Sequence, residues 1–184
     1  MIDARRFAVR ERLRNGLEVC FRALHPDDGE RIVEAFSKLD ADSIYFRFFG
    51  QKAEITEQDF RLIREMDFDT RVALLATLMQ DGREIVIGSA SYARFGATTA
   101  EIAFLVEEDY QGLGIAGKLL THLGRIARAA GITTFVAEVL GQNAAMLKVF
   151  AACGWPMETS KEDGSVHVTL SLAQSGSADA GPAS

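Results

Sequence analysis

A strand, a glycine-rich turn and a helix follow one another between residues 100 and 130. The strand AEIAFLV leads into EEDYQGLGIAGKLLTHL, which places three glycines within six residues and then continues as a helix. Glycine destabilises helices, so its concentration at a helix start needs a physical reason. Residues without a Cβ let backbone N–H groups approach an anion, and the helix N-terminus adds unpaired donors and a positive dipole end. The loop is therefore suited to bind phosphate, although a tight turn with close helix packing would also account for its glycines.

Two known phosphate-binding patterns do not fit this loop. In a G-x-x-x-x-G-K-[ST] loop, Gly112 and Gly117-Lys118 have the required spacing, but Leu119 follows and cannot ligate Mg²⁺. The dinucleotide pattern G-x-G-x-x-G is matched by Gly112, Gly114 and Gly117, but it requires parallel βαβ units. The strands predicted before this loop form an antiparallel meander, so neither pattern is adopted.

The predicted order of elements indicates a mixed α/β domain. Apolar runs of strand length and stretches of helical periodicity alternate along the chain. The Asp81-Gly82 pair predicts a type I′ hairpin between two strands, Thr56 predicts a helix N-cap, and Gly131 predicts a helix end. We predict strands at 17–24, 71–79, 83–95, 100–106, 133–140 and in a closing pair, with helices within 25–39, 40–50, 56–66, 114–130 and 143–154. The sheet is expected to be largely antiparallel with helices on its faces.

Composition limits the class of protein. The chain has 184 residues, 48% hydrophobic and 25% charged, which fits one globular domain with its own core. No run approaches the length of a membrane span, and the N-terminus lacks the apolar core of a signal peptide, so we expect a cytoplasmic protein with no membrane partner. A net charge of −6 disfavours nucleic acid and favours a cationic partner. Cys20 and Cys153 have no metal-ligand spacing, so no metal site is predicted.

Two terminal segments differ from the rest of the chain. Residues 1–16 carry many charges and are interpreted as a leader, and residues 173–184, AQSGSADAGPAS, are small and polar and predict a disordered tail. The predicted domain therefore spans residues 17–172.

A family resemblance rests on the glycine loop and on several further blocks. Q-x-x-G-x-A, at Gln111, Gly114 and Ala116 after AEIAFLV, resembles the acyl-CoA pyrophosphate loop of the GNAT superfamily of N-acetyltransferases. SIYFRFFG, EMDFDTRVALLA and EVLGQNAAML followed by CGW are most similar to bacterial Pat-type protein lysine acetyltransferase domains. The resemblance implies a GNAT fold, an α/β architecture with a mixed, mostly antiparallel sheet, splayed central strands and helices on both faces.

The same resemblance implies that acetyl-CoA is the co-substrate. Its pantetheine arm would bind the main chain of Phe104, Leu105 and Val106 in a slot between the splayed strands. Its pyrophosphate would accept hydrogen bonds from the loop, which comprises Gln111, Gly112, Leu113, Gly114, Ile115, Ala116 and Gly117. Lys118 is near enough to help with a phosphate, or else belongs to a solvated face. Asn143 would hold the CoA arm through its amide, or serve only as a helix N-cap.

Acetyl transfer to an amine requires a base, because an amine with a pKa of about 10.4 is protonated at neutral pH. Glu101 begins the strand that would hold pantetheine, and charged residues are uncommon in so apolar a run. In the Pat-type pattern AEFAVLV the glutamate at this place is the proposed general base. The backbone N–H of Phe104 would then stabilise the tetrahedral oxyanion. Otherwise Glu101 is a solvent-facing residue at a strand end.

One position departs from many GNAT enzymes. They place a tyrosine seven residues after the asparagine of the next helix, where it protonates the departing thiolate, whereas this chain has Asn143 and then Phe150. Phenylalanine cannot donate a proton. A thiol pKa of about 8.5 makes unassisted or water-assisted departure tolerable.

Three functions remain open at this stage. The first is acetylation of a protein lysine, the second is acetylation of a small amine such as a polyamine or aminoglycoside, and the third is acyl-CoA binding without catalysis. Acidic residues beside SIYFRFFG could attract a lysine-bearing substrate or form a solvated face; they are Glu54, Glu57, Asp59, Glu65, Asp67 and Asp69. A hydrolase triad has no support, because no Ser or Cys lies near the histidines in a suitable pattern; the histidines are His25, His122 and His167.

Overall fold

The computed structural model describes residues 2–39 and 55–172, which form an eight-stranded mixed sheet with helices on both faces. The strands are β1 (Ala8–Arg12), β2 (Glu18–Ala23), β3 (Arg71–Gln80), β4 (Arg83–Arg94), β5 (Thr99–Val106), β6 (Thr134–Leu140), β7 (Met157–Glu162) and β8 (Ser165–Ser171). The helices are α1 (Gly29–Ser37), α2 (Glu57–Arg64), α3 (Ile115–Ala129) and α4 (Ala144–Ala151), with short 3₁₀ helices at Ala4–Arg6 and Glu108–Tyr110. The spatial order is β1-β2-β3-β4-β5-β6-β8-β7, and among these neighbours β5 and β6 run parallel.

The turn, the helix cap and the helix end that were predicted from short sequence signals are all present in the structure. Asp81 and Gly82 both have positive φ, 52° and 77°, as a type I′ turn between β3 and β4 requires. Thr56 caps α2, and its side chain and that of Asp59 bond reciprocally to each other's backbone N–H groups as a capping box. Gly131 has a φ of 85° just after α3. Each of these predictions is confirmed.

The predicted charged leader is partly wrong. Residues 8–12 form β1, which pairs antiparallel with β2 along its whole length, from Ala8 opposite Arg22 to Arg12 opposite Glu18. β1 is an edge strand, so its side chains alternate only between exposed and half-buried. Four of its five residues are polar or small, and the sequence therefore shows no alternation of apolar residues. The domain therefore begins before residue 17. The predicted helix at 40–50 and the predicted tail at 173–184 lie outside the described residues.

Two hydrophobic clusters lie on opposite faces of the sheet. The larger one packs α3 and α4 against the sheet, with Leu119, Leu123 and Phe150 among its buried members. The smaller one packs residues of α1 and α2 against the other face and includes Ile63 and Leu75. Within the described residues, no helix is long and apolar enough to cross a membrane.

A buried ionic network fixes α1 to the sheet. Both guanidinium amino groups of Arg22 donate to Asp28, at 2.9 and 2.7 Å, and the same side chain donates to Glu84 at 3.1 and 2.9 Å. Asp28 is completely buried and also accepts from the His25 backbone N–H at 2.7 Å. Because Arg22, Asp28 and Glu84 belong to β2, the start of α1 and β4, the network holds the helix in register over the sheet.

Candidate active site

The sheet opens in its centre between β5 and β6. β5 pairs with β4 from Ala100 to Val106, but it pairs with β6 only from Thr99 to Glu101. Beyond Glu101 the two parallel strands separate, which leaves one edge of β5 without a neighbouring strand. The splayed central strands of the predicted fold are therefore present, and they expose main-chain hydrogen-bonding groups that an extended ligand can use.

A cavity of about 830 Å³ fills this opening. It extends from the splayed strands to the glycine loop and the start of α4. Eleven of the predicted site residues line it: Glu101, Phe104, Leu105, Val106, Gln111, Gly112, Gly114, Ile115, Ala116, Gly117 and Asn143. Leu113 is the exception, because its half-buried side chain packs against the larger core cluster. The structure thus brings together residues that are up to 42 positions apart in the sequence, from Glu101 to Asn143.

The geometry of the loop separates the two explanations for its glycines. Gly112 and Gly114 have φ angles of 80° and 87°, so the turn itself requires them. Gly117 has no such angle, and a Cβ built on it would meet no atom within 4 Å. Gly124, by contrast, is a packing glycine, because a Cβ there would lie 2.2 Å from the Trp155 ring. Neither turn geometry nor packing explains Gly117, whose backbone lines the cavity.

The first turn of α3 supplies donors at the loop. Gly114 is its N-cap and, having no side chain, leaves the following N–H groups uncapped. The Arg14 guanidinium lies next to the loop, with Nη2 3.9 Å from where a Cβ on Gly114 would stand. Lys118 extends towards Glu11, with its Nζ 3.8 Å from Glu11 Oε2. Arg14 was missed in the sequence because it lies in the segment interpreted as a leader, a hundred residues from the loop.

Glu101 is the last residue of β5 that pairs with β6, and its side chain is exposed. It lines the large cavity and also a second cavity of about 390 Å³ on the face of the sheet that carries α1 and α2. Three apolar neighbours on β5 also line both cavities, and among the described residues Glu101 is the titratable one that does so. Its predicted role as general base remains a prediction.

Phe104 and Phe150 are in contact on the α3 side of the sheet. Their rings meet edge to face with centroids 5.9 Å apart, and Phe150 is 1% exposed. Phe150 lines the cavity, and its apolar ring has no proton to give. The role of the Phe104 N–H as an oxyanion donor remains a prediction.

Asn143 is a helix N-cap that also lines the cavity, and its role in holding the CoA arm remains a prediction. Its Oδ1 accepts a hydrogen bond of 3.2 Å from the Met146 N–H, so it is the N-cap of α4. Because the cap uses the carbonyl oxygen, the NH₂ group is the part that can donate to a ligand in the cavity.

The second cavity contains a buried carboxylate that the sequence did not single out. Glu107, which directly follows β5, is 7% exposed, and its Oε2 has no hydrogen-bond partner within the described parts of the chain. Burial raises the pKa of Glu107; the charge of Lys38 lowers it and that of Asp109 raises it further. Only the fold reveals this burial, because Glu107 is the first of three consecutive acidic residues, a pattern that is typical of a solvated turn.

The acidic residues near the second cavity have mixed roles. Asp67 accepts from the N–H groups of Asp69, Thr70 and Arg71. Although burial alone would raise the pKa of Asp67, these bonds and that of the Thr70 hydroxyl lower it to about 2. Asp67 therefore shapes the turn before β3, and Asp59 caps α2, whereas Glu57 and Glu65 are exposed.

Two of the three histidines have structural side-chain partners. His122 is buried between the rings of Phe7 and Phe21, with Nε2 3.1 Å from Glu11. His167 pairs with Glu138 across the β6–β8 ladder.

Comparison with known proteins identifies the class. Residues 39–155 match the model of the acetyltransferase (GNAT) family, so this chain belongs to that family. The GNAT domain of S. lividans PAT is 35% identical, with a TM-score of 0.81 over 89% of this chain and 96% of that one. An acetyltransferase of Pseudomonas aeruginosa is 28% identical over 83% of each chain.

A second relative supports the Pat-type resemblance. Acetyltransferase Pat of Mycolicibacterium smegmatis is 31% identical over 144 residues, which are 77% of this chain but 42% of that protein. The chain thus spans less than half of that relative. The family is confirmed, the chain is an acetyltransferase, and its closeness to Pat-type domains is confirmed as well.

Proposed function

We propose that this chain transfers the acetyl group of acetyl-CoA to a lysine ε-amine of a protein, with Glu101 as general base. The observation that carries the proposal is that Glu101 lines both cavities, one on each side of the splayed strands. Acetyl-CoA would occupy the larger cavity, and the amine would enter from the smaller one.

The larger cavity suits the shape and chemistry of acetyl-CoA. Pyrophosphate binds the N–H groups of the glycine loop and the start of α3, and pantetheine adds to the unpaired edge of β5 from Phe104 to Val106. The thioester then lies near the end of the β5–β6 pairing, beside Glu101. Arg14 and Lys118 supply positive charge near the phosphates.

The reaction is a direct attack. Glu101 removes the proton of the bound ammonium, and the amine nitrogen forms a bond to the thioester carbon. The Phe104 N–H stabilises the oxyanion of the tetrahedral intermediate. The intermediate still carries a second proton on its nitrogen, which passes to water or to the sulfur as the carbon–sulfur bond breaks and the amide forms. Because Phe150 offers no proton, the thiolate otherwise leaves as such or takes a proton from water.

Incubation with labelled acetyl-CoA and a host-cell extract tests the proposal. We expect a small set of proteins to become labelled on lysine, located by peptide mass spectrometry, and the labelling to depend on active enzyme. Glu101→Gln serves as the matched control, since it keeps the size and fold of the protein. Label found only in small amines would overturn the protein-lysine assignment and leave acetyl transfer intact. No label in either fraction would overturn the function.

A further inference from the structure

We propose that Glu107 binds a second cationic group of the acceptor, so that this enzyme selects amines carrying another positive charge on the same molecule. The inference rests on the proposed function, because it assigns the smaller cavity to the acceptor. The shared chemistry is an aliphatic primary amine linked to a second cation. A polyamine and a lysine beside a basic residue both have it.

The alternation of β5 places Glu107 and Glu101 in the same cavity. Side chains two residues apart share a face of a strand, so Glu101, Ala103, Leu105 and Glu107 project to one side. All four line the smaller cavity. At about 3.3 Å per residue, the six steps from Glu101 to Glu107 separate their backbones by roughly 20 Å. The cavity therefore has a carboxylate at each end of the strand that forms its floor.

The walls between the two carboxylates are mostly apolar, with the hydroxyl side chains of Ser89 and Ser91 beside Leu105 and Ala103. The apolar residues include Leu24, Ile32, Ile63, Leu75 and Val86, which belong to or pack against the smaller core cluster. Methylene groups bind well against such walls, whereas a charge needs a partner at the end. An aliphatic chain with a positive group at each end meets both demands.

Glu107 has no other evident purpose. It is 7% exposed, and its Oε2 lacks a hydrogen-bond partner among residues 2–39 and 55–172. Lys38 attracts it through space, but the Lys38 ammonium is bound to Glu34 at 3.7 Å. A buried ionised group left unpaired destabilises a fold, and such groups concentrate at functional sites.

The other charged side chains of the cavity do not replace Glu107. Asp59 accepts hydrogen bonds from Thr56 at 2.7 and 2.9 Å as part of the capping box. Arg71 is exposed at the start of β3 and repels cations. Glu101 is committed to the reacting amine. Glu107 is thus the carboxylate that can receive a second positive charge.

The experiment compares acceptors that differ only in the second charge. One pair is a straight-chain monoamine and the diamine of the same length, repeated over increasing lengths. The other pair is a lysine peptide with a neutral neighbour and the same peptide with an arginine neighbour. We expect wild-type kcat/KM to favour the dicationic member of at least one pair by about tenfold or more. Glu107→Gln should reduce that ratio towards one, and the pair that responds identifies the source of the second charge.

The control is Glu108→Gln, an exposed neighbour that removes the same charge from the same turn and should leave the ratio unchanged. A wild-type ratio near one in every pair would overturn the inference, as would a ratio that Glu107→Gln preserves. A general folding defect lowers both rates of a pair alike, so it leaves the ratio intact and cannot imitate the expected result.

Failure of the proposed function has a different outcome. If wild-type enzyme acetylates none of these amines, the function fails, and calorimetry of the longest diamines with the acetyl-CoA-saturated protein then tests Glu107 alone. Weaker diamine binding to Glu107→Gln than to Glu108→Gln would support the assignment. Equal binding to the two variants would overturn it.

Discussion

Asp28 and Glu107 are both buried carboxylates, and their surroundings differ. Asp28 is completely buried and receives hydrogen bonds from Arg22, from Arg31 at 3.1 Å and from the His25 backbone. Glu107 is 7% exposed, and its Oε2 has no partner among the described residues. Removing a carboxylate from water is unfavourable in both cases, but only Asp28 regains comparable interactions inside the protein. A satisfied charge holds the fold together, and an unsatisfied one facing a cavity is available to a ligand.

The two groups titrate in opposite directions. Burial alone would raise the pKa of Asp28, but the hydrogen bonds and charge of Arg22 outweigh it and hold that pKa below its usual range. Burial raises the pKa of Glu107, and the opposing charge of Lys38 does not outweigh it. The stability that Asp28 contributes is therefore lost as pH falls through its lowered pKa. The instability from Glu107 is relieved as pH falls through its raised pKa.

The largest expected effect concerns Glu101, an exposed carboxylate with a proposed chemical role. Glu101→Gln should lower turnover by about 10² to 10⁴, because the amine loses its proton acceptor. Acetyl-CoA affinity should stay within a few fold, since backbone groups hold the ligand. Steady-state kinetics and calorimetry measure the two quantities, and activity of the variant should recover in part at high pH, where free amine forms without a base. Near-normal turnover would show that Glu101 is not the base, and Glu138, which also lines the larger cavity, would be the next carboxylate to test.

The second prediction tests the paired carboxylate. Asp28→Asn should lower the free energy of unfolding by about 3 to 5 kcal/mol at neutral pH, because it leaves the buried Arg22 charge with less compensation. The deficit relative to wild type should shrink as pH falls through the ordinary pKa range of aspartate and below, where wild-type Asp28 also becomes protonated. Urea unfolding across pH measures it.

Asp27→Asn is the matched control for Asp28→Asn, since Asp27 is adjacent and exposed. We expect this control to change the free energy of unfolding by less than about 0.5 kcal/mol. Similar losses in the two variants would remove the distinction between a paired and a solvent-exposed carboxylate just before α1.

The third prediction is that removing the charge of Glu107 stabilises the fold, whereas removing that of Asp28 destabilises it. Glu107→Gln should raise the free energy of unfolding by about 1 to 3 kcal/mol at high pH, because it removes a buried charge that Lys38 offsets only in part. The gain should vanish as pH falls through the raised pKa of Glu107, since wild type is then neutral there too. Urea unfolding at several pH values, with Glu108→Gln as control, measures it. A loss of stability at high pH would mean that Glu107 has a structural partner, and the comparison with Asp28 would fail.

Local chemistry made part of the molecule predictable. The glycine loop, the Asp81-Gly82 hairpin and the Thr56 cap depend on residues within a few positions of each other, so their signals are visible in the sequence. The predicted residues around the loop also line one cavity. Leu113 is the exception, because its apolar side chain packs against the core instead. Asn143 is the predicted helix N-cap and lines the same cavity, while its contact with the CoA arm stays a prediction.

Long-range placement explains what was missed. β1 was taken for a leader because an exposed edge strand needs few apolar residues, and only its pairing with β2 reveals it. Glu107 lies in an acidic turn, and only the folded chain shows that it is buried beside the second cavity. Arg14 approaches Gly114 only because β1 brings it there. None of these contacts leaves a periodic pattern in the sequence.

The smallest expected effect extends the comparison from carboxylates to cations. Arg22 is buried and paired, whereas Arg14 is exposed and lies next to the glycine loop. Arg14→Ala should weaken acetyl-CoA binding by less than about tenfold, roughly 1.4 kcal/mol at most, because solvent and salt screen an exposed charge and the loop backbone makes the main contacts. Calorimetry at low and high salt measures the effect, which should shrink as salt is added.

The control for Arg14→Ala is Arg12→Ala, an exposed arginine of β1 two residues away. Truncated pantetheine thioesters, which lack the phosphates, should bind wild type and Arg14→Ala alike, because Arg14 acts on phosphate alone. If Arg14→Ala and Arg12→Ala weaken acetyl-CoA binding equally, the effect is one of general charge rather than of position beside Gly114. A hundredfold loss of acetyl-CoA affinity in Arg14→Ala would be equally informative. It would mean that the Arg14 guanidinium closes over the phosphates and loses its water there, as the Arg22 guanidinium does between Asp28 and Glu84.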